Sequence, residues 1–276
     1  MSENDLDKLS NKITAVADLA KAVPIYEDAI KPAALETGKA LGLVGRAVNV
    51  ALMPLRGIVW SAERIEHWLA DKVATKLSGI PPEHIVSPDI QIAGPTIEAL
   101  KFTVDKPVLQ EMFAGVMAGA MNKDTCEDIH PSFVEKIKNL SELDAILFSY
   151  IATNDPIATL QFFTKTRDVE GQSKIVNFFN PEFCRIYSKK YPERKKQLAA
   201  IEASVEHLGN LGLVSAVDYG ELTGSKSRKE YQAMERDLIT QAFREKKFAT
   251  PDTIFGTGRS YIRLSSFGQI FARTVL

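Results

Sequence analysis

ERKKQLAAIEASVEHLGNLGLVSAV, from Glu193 to Val217, holds the change of periodicity that decides the fold class. Leu198, Ile201, Val205 and Leu208 recur at steps of three and four, so they share one face of a helix. In NLGLVSAV the glycine supplies a helix C-cap and the β-branched residues a strand. RSYIRLS, Arg259 to Ser265, reads as a second strand, followed by a short closing helix with Phe267, Ile270 and Phe271 inward. Upstream, Ser141 to Asp144 resembles a capping box opening a helix whose buried face is Leu143, Ile146, Leu147, Tyr150 and Ile151. Helix, helix, strand, strand and helix in this order predict a winged-helix-like α+β module over residues 141–276 with a small β-hairpin. The connection from Asp218 to Gly258 is too long for a simple wing, and Tyr231, Met234, Leu238 and Phe243 predict a helix inside it.

Residues 1–140 read as a multi-helix domain, which makes the chain mainly α. Leu6, Leu9, Ile13 and Val16 open a seam that continues through Ala20 and Val23 at alternating three- and four-residue steps; it predicts packing or self-association as a homo-oligomer. From Tyr26 to Leu77 the helical period persists through Val44, Val48, Leu52, Leu69 and Val73, with interruptions at Pro32 and Pro54. SGIPPEHIVSPDIQIAGP, residues 78–95, reads as a proline-rich loop, because each proline disfavours helical backbone in the residue before it. Helices are expected to restart near Pro95 and near Pro107, the latter with Asp105 as its cap. His130 and Pro131 read as the cap and first position of PSFVEKIKNL.

Composition bounds the function. A net charge of −1 leaves no general basic excess, so nucleic acid is an unfavoured partner unless a local patch supplies it. Two cysteines, Cys126 and Cys184, fit no disulfide framework and point to a reducing compartment. MSENDLDKLSNK lacks the basic-then-apolar order of an export signal, so a cytoplasmic protein is expected. Leu41 to Trp60 has the length of a membrane span, but a central Arg46 or Arg56 costs roughly 2.5 to 3.5 kcal/mol there, which predicts a buried or interfacial helix. The pairs Gly38 with Gly42 and Gly115 with Gly119 would permit close helix contact in lipid or in a protein core.

Residues that carry chemistry are sparse. The four histidines do not stand at ligand spacing, and Cys126, Glu127, Asp128 and His130 lack the second ligand pair a zinc site needs. TGSKSRKE, Thr223 to Glu230, misses the phosphate-loop spacing, and Gly256 and Gly258 precede a strand instead of following one, so both tracts read as turns. Neither a nucleophile elbow nor a zincin signature is present, and no metal, cofactor or catalytic residue is assigned. Two interaction surfaces are expected. One is Glu83, His84 and Asp89 on the proline-rich loop, whose length exceeds that of an ordinary connection. The other is the basic cluster Lys189, Lys190, Arg194, Lys195 and Lys196, interleaved with Tyr187 and Tyr191.

YEDAIKPAALETGKALGLVGRAVNVALMPLRGIVW, the loop IPPEHIVSPDIQIAGPTIEAL, the helix LQEMFAGVMAGAMNKD and IHPSFVEKIKNLSELDA resemble the abortive infection alpha family of bacterial proteins. The resemblance is good over Tyr26 to Ile151 and looser beyond. It implies phage defence by sacrifice or growth arrest of the infected cell, and it carries no catalytic residues across. The resulting expectation is a non-enzymatic bacterial antiphage protein acting through protein contacts. Its competitors are a membrane-perturbing effector and a winged-helix DNA-binding regulator. The latter is weakened by the outward face expected of the Glu193–Leu208 helix: Lys196, Ala199, Ala203, Glu206, His207 and Asn210.

Overall fold

The computed structural model describes residues 42–52, 63–166, 173–218, 220–237, 240 and 253–276. Val44–Leu276 form one compact unit, mainly helical, and the seam at Leu6, Leu9, Ile13 and Val16 lies outside the described residues. Helix α1 (42–52) buries Val44, Val48 and Leu52, and α2 (Glu63–Lys76) buries Leu69 and Val73, as the helical period requires. Helix α3 (Ile90–Leu100) is followed by α4 (Pro107–Met121), in which ten of fifteen residues are buried. That burial makes α4 the pole of the bundle, with α2 and α3 packed against it.

The starts of α3 and α4 differ from expectation. Helix α3 begins at Ile90 and not near Pro95, because the Asp89 carboxylate accepts the Gln91 N–H at 2.7 Å and caps the first turn. Pro95 then sits inside the helix, and the irregular segment ends at Asp89. Asp105 does not cap α4; Lys106 is the N-cap residue and makes no side-chain bond, so Pro107 at the first position sets the start.

Helix α5 (Ser132–Asn139) starts one residue later than HisPro predicts, with Pro131 at the N-cap and His130 Nδ1 accepting the Ser132 N–H at 3.1 Å. Helix α6 (Glu142–Asn154) opens on the expected capping box: Ser141 Oγ accepts the Asp144 N–H at 3.1 Å and Asp144 accepts the Ser141 N–H at 2.9 Å. Its buried face is rotated from the expected one. Ala145 and Phe148 join Leu147 and Ile151 inside, while Leu143, Ile146 and Tyr150 are half-buried.

Strands β1 (Ile157–Thr166), β2 (Ser173–Phe179), β3 (Val214–Val217) and β4 (Thr253–Leu264) form an antiparallel sheet in the order β2-β1-β4-β3. Helices α7 (Pro181–Ser188) and α8 (Arg194–Asn210) separate β2 from β3. Gly212, at φ +73°, turns α8 into β3 in the left-handed backbone that glycine tolerates. The long connection holds α9 (Ser225–Arg236), with Tyr231 and Met234 buried as expected; Leu238 and Phe243 lie outside the described residues. TGSKSRKE therefore opens a helix, with Gly224 as N-cap, and Gly256 and Gly258 lie within β4 instead of in a turn.

Helix α10 (Ser266–Val275) closes the chain against α4 and α6. Phe271 meets Phe133 and Phe148 edge-on, each at 5.4 Å between centroids, a favourable aromatic geometry that ties α10 to α5 and α6. Phe267 is half-buried, and Ile270 faces outward with 47% exposure, against expectation.

Candidate interaction site

The segment from Leu77 to Asp89 is a strap laid across the end of α4. Ile85 bridges to Asn122, the Val86 N–H donates to the Met121 carbonyl at 2.9 Å, and the Lys123 N–H donates to the His84 carbonyl at 2.9 Å. Farther along, Ser87 Oγ donates to the Ala51 carbonyl at 2.6 Å, and Pro88 is buried. Pro81 and Pro82 fix the entry to a 3-10 turn, Pro82–His84. Backbone pairing and proline together hold the strap in one conformation, and its aliphatic residues partly serve the core: Ile80 and Ile85 pack on it.

What the strap shows to solvent is narrower than Glu83, His84 and Asp89 as a set. Glu83 is exposed in the 3-10 turn. His84 is half-buried and its Nδ1 meets Asp124 Oδ2 at 3.0 Å. Asp89 is exposed but committed to capping α3. Beside the strap lies a cleft of about 480 Å³ lined by Val86, Asp89, Ile92, Cys126, Glu127 and Ile129. Its floor is aliphatic and its charged groups are acids.

The basic cluster falls in the α7–α8 corner. Tyr187 is buried and stacks on Tyr191 at 6.4 Å between centroids, and Lys190 Nζ lies 5.5 Å from the Tyr191 ring centre. Lys189 and Lys190 are exposed, and Lys196 pairs with Glu193 at 2.8 Å. The Arg194 and Lys195 side chains lie outside the described residues. On α8 the exposed residues are Lys196, Ala199, Ala203, Glu206 and Asn210 as expected, but His207 is half-buried and its Nε2 meets the Asn139 carbonyl oxygen at 2.9 Å.

A polar cluster that the sequence did not announce lies on the sheet. Arg259 pairs with Glu221 at 2.5 Å and Glu235 at 2.8 Å, and its guanidinium lies 5.2 Å from the Tyr231 ring centre. The Tyr231 hydroxyl donates to the Ser260 carbonyl at 2.8 Å and accepts the Leu222 N–H at 3.2 Å. Thr159 and Ser260 share a hydroxyl pair at 2.8 Å, and Gln161 donates to Asp218. These partners stand 9 to 101 residues apart in sequence; the β1–β4 register sets Thr159 opposite Ser260, and the packing of α9 and its preceding segment on the sheet brings the rest.

Proton affinities move where packing dictates. Burial raises Tyr187, Tyr150 and Tyr231, and the Glu235 and Glu221 carboxylates raise Arg259. Cys126 and Cys184 are thiols and not a disulfide, as expected. Cys126, Glu127 and Asp128 form a 3-10 turn, and among the described residues no three His, Cys, Asp or Glu side chains gather into a metal-binding group. Among the described residues no helix is long and apolar enough to cross a membrane.

The family model described as abortive infection alpha matches residues 61–275. The chain belongs to the abortive infection alpha family. The match spans the strap, the sheet and α10 alike, well past Ile151, and it begins after YEDAIKPAALETGKALGLVGRAVNVALMPLRGIVW, residues 26–60, which it does not cover. No curated protein matches the chain. Among solved structures, an uncharacterized protein from the hydrocarbon-degrading marine bacterium Alcanivorax borkumensis SK2 shares 18% identity, covering 50% of this chain and 88% of that one at a TM-score of 0.33.

Proposed function

We propose that this abortive infection protein works in the bacterial cytoplasm by binding a protein partner through the strap, without catalysis of its own. The observation that carries the reading is the strap's construction: its backbone is pinned to the end of α4 while Glu83, Ser87 and Ile90, the last 46% exposed, remain in solvent. A prefixed surface loses little ordering entropy on association. A winged-helix derivation of the C-terminal half draws on the chain order α6, β1, α7, α8, β3 and β4, interrupted by β2 after β1 and by α9 before β4, with β1, β4 and β3 neighbours in that order in the sheet. Its α8 face, with two alanines, an acid and a lysine already paired, suits a protein surface better than base edges.

The test is a phage challenge of a sensitive host expressing Glu83→Ala/His84→Ala. Protection should fall while stability stays within about 0.5 kcal/mol, the range of ordinary surface changes. Undiminished protection at normal expression would remove the strap as the contact. Self-association through Leu6, Leu9, Ile13 and Val16 is a separate proposal, read from the mass by light scattering of a chain lacking residues 1–23; an unchanged mass removes it.

A further inference from the structure

A second groove, of about 710 Å³, opens between the end of α2, the later turns of α4 and the last turn of α10. Leu77, Ile80, Ala118, Gly119 and Ile129 make its walls apolar. Two large hydrophobic side chains at the groove are left in water: Ile270, 47% exposed, and Leu276, 53% exposed. Two cations, Lys76 and Arg273, also line it; both are exposed and neither has an ion-pair partner among the described residues. Asn122, Thr125 and Thr274 add neutral polar groups, and Asp128 is the single acidic side chain of the lining.

We propose that this groove binds a small amphipathic anion, an aliphatic chain ending in a carboxylate or phosphate. The volume lies within the roughly 300 to 1,000 Å³ of small-molecule sites. An aliphatic chain laid on Ile270 and Leu276 removes their exposed apolar surface from water, which is the main favourable term, with the buried Leu77, Ala118 and Ile129 as the apolar wall behind it. The head sits with Lys76 and Arg273, because an anion near Asp128 is repelled and one between two unpaired cations is held. A free fatty acid and a bilayer lipid share this chemistry.

Calorimetric titration of the full chain with dodecanoate, dodecyl phosphate and dodecyltrimethylammonium, each below its micelle threshold, tests the site. Both anions should bind one to one and the cation of equal chain length should not. Lys76→Glu/Arg273→Glu should weaken the anions by roughly tenfold or more, as charge reversal at a binding site does. Ile270→Glu, at an exposed position that leaves the core intact, should weaken them as well. Co-sedimentation with phosphatidylglycerol vesicles that depends on the same two cations assigns the ligand to a membrane, and binding of the soluble anions alone assigns it to a free acid or phosphate. Absence of anion binding, equal binding of the ammonium, or anion affinities that both variants leave untouched would overturn the proposal.

Discussion

The Thr274 carbonyl oxygen lies so close to Gly115 that a Cβ built on the glycine would stand 2.6 Å from it, and 2.9 Å from Val275 Cα. Both neighbours are backbone, so neither can swing aside. The Gly115 and Gly119 spacing therefore serves a close crossing of α4 and α10 inside this compact unit. Gly115→Ala should destabilise by about 1–3 kcal/mol, the usual cost of overpacking. Gly119→Ala meets only the end of the Ile129 side chain at 2.8 Å and should cost less. Gly94→Ala in α3 meets nothing within 4 Å beyond its chain neighbours, but Pro95 follows it and disfavours helical backbone for a residue carrying a Cβ, so the propensity gain is offset and stability should change little. Urea unfolding of the three variants gives the order, and a Gly115→Ala protein as stable as Gly94→Ala would refute the contact.

Asp89→Ala should lower stability by about 1 kcal/mol, the common worth of a helix N-cap, whereas Glu83→Ala should leave it unchanged. The two acids stand six positions apart on one strap, yet only Asp89 bonds to a backbone N–H. Thermal melts of the single variants decide it. The distinction matters for the phage assay, because loss of protection in any variant carrying Asp89→Ala reports on folding as well as on contact.

Local signals survived translation from sequence to structure where one or two residues determine them. Ser141 with Asp144, His130 with Pro131, and Gly212 after α8 each specify a terminus by their own chemistry. The start of α3 was illegible because Pro95 argued for extended backbone, and the opposing evidence was a single aspartate six residues earlier. Strands β1 and β2 were missed for a different reason. Thr159 and Gln161 on one face and Leu160 and Phe162 on the other are all buried, so Ile157 to Phe162 has no polar side turned to water to mark it as a strand. Thr159 is satisfied inside by Ser260, and the Gln161 amide nitrogen by Asp218, both far away in sequence, while Gln161 Oε1 is buried without a hydrogen bond. The strap's pinned conformation was likewise invisible, since its partners are the backbone of Met121 and Lys123.

Arg259 joins β4 to the segment that carries α9, through Glu221 on one side and Glu235 on the other. The groups are between 28% and 46% exposed, so solvent screens the pairs and the net effect is modest. Arg259→Met should cost about 1 kcal/mol overall, while the amides of 225–236 lose exchange protection before those of α4. Arg259→Lys should not restore that protection, because an ammonium cannot address two carboxylates and an aromatic face in the fork geometry of a guanidinium. Hydrogen exchange reads both, and uniform loss across the molecule would show that Arg259 is not a local fastener.

Tyr187 governs the alkaline limit of the fold. Burial raises its proton affinity well above the ordinary tyrosine value, an effect that the Ser204 hydroxyl only partly offsets. The folded state thus retains a proton that the unfolded chain releases at about pH 10, the ordinary range of tyrosine. Stability is complete below that pH and falls as pH rises from there toward the folded value, with the half-buried Tyr150 and the buried Tyr231 adding to the slope in the same direction. Tyr187→Phe should flatten the decline. At neutral pH the same variant should be as stable as the parent or more so, because the buried Tyr187 hydroxyl makes no full hydrogen bond: the Ser204 hydroxyl lies near it but beyond bonding distance. Denaturant midpoints measured at neutral pH and at intervals from about pH 9 to about pH 12 separate the two effects, since the unfolded tyrosine titrates within that window. An alkaline decline equally steep in both proteins would move the responsibility from Tyr187 to another group.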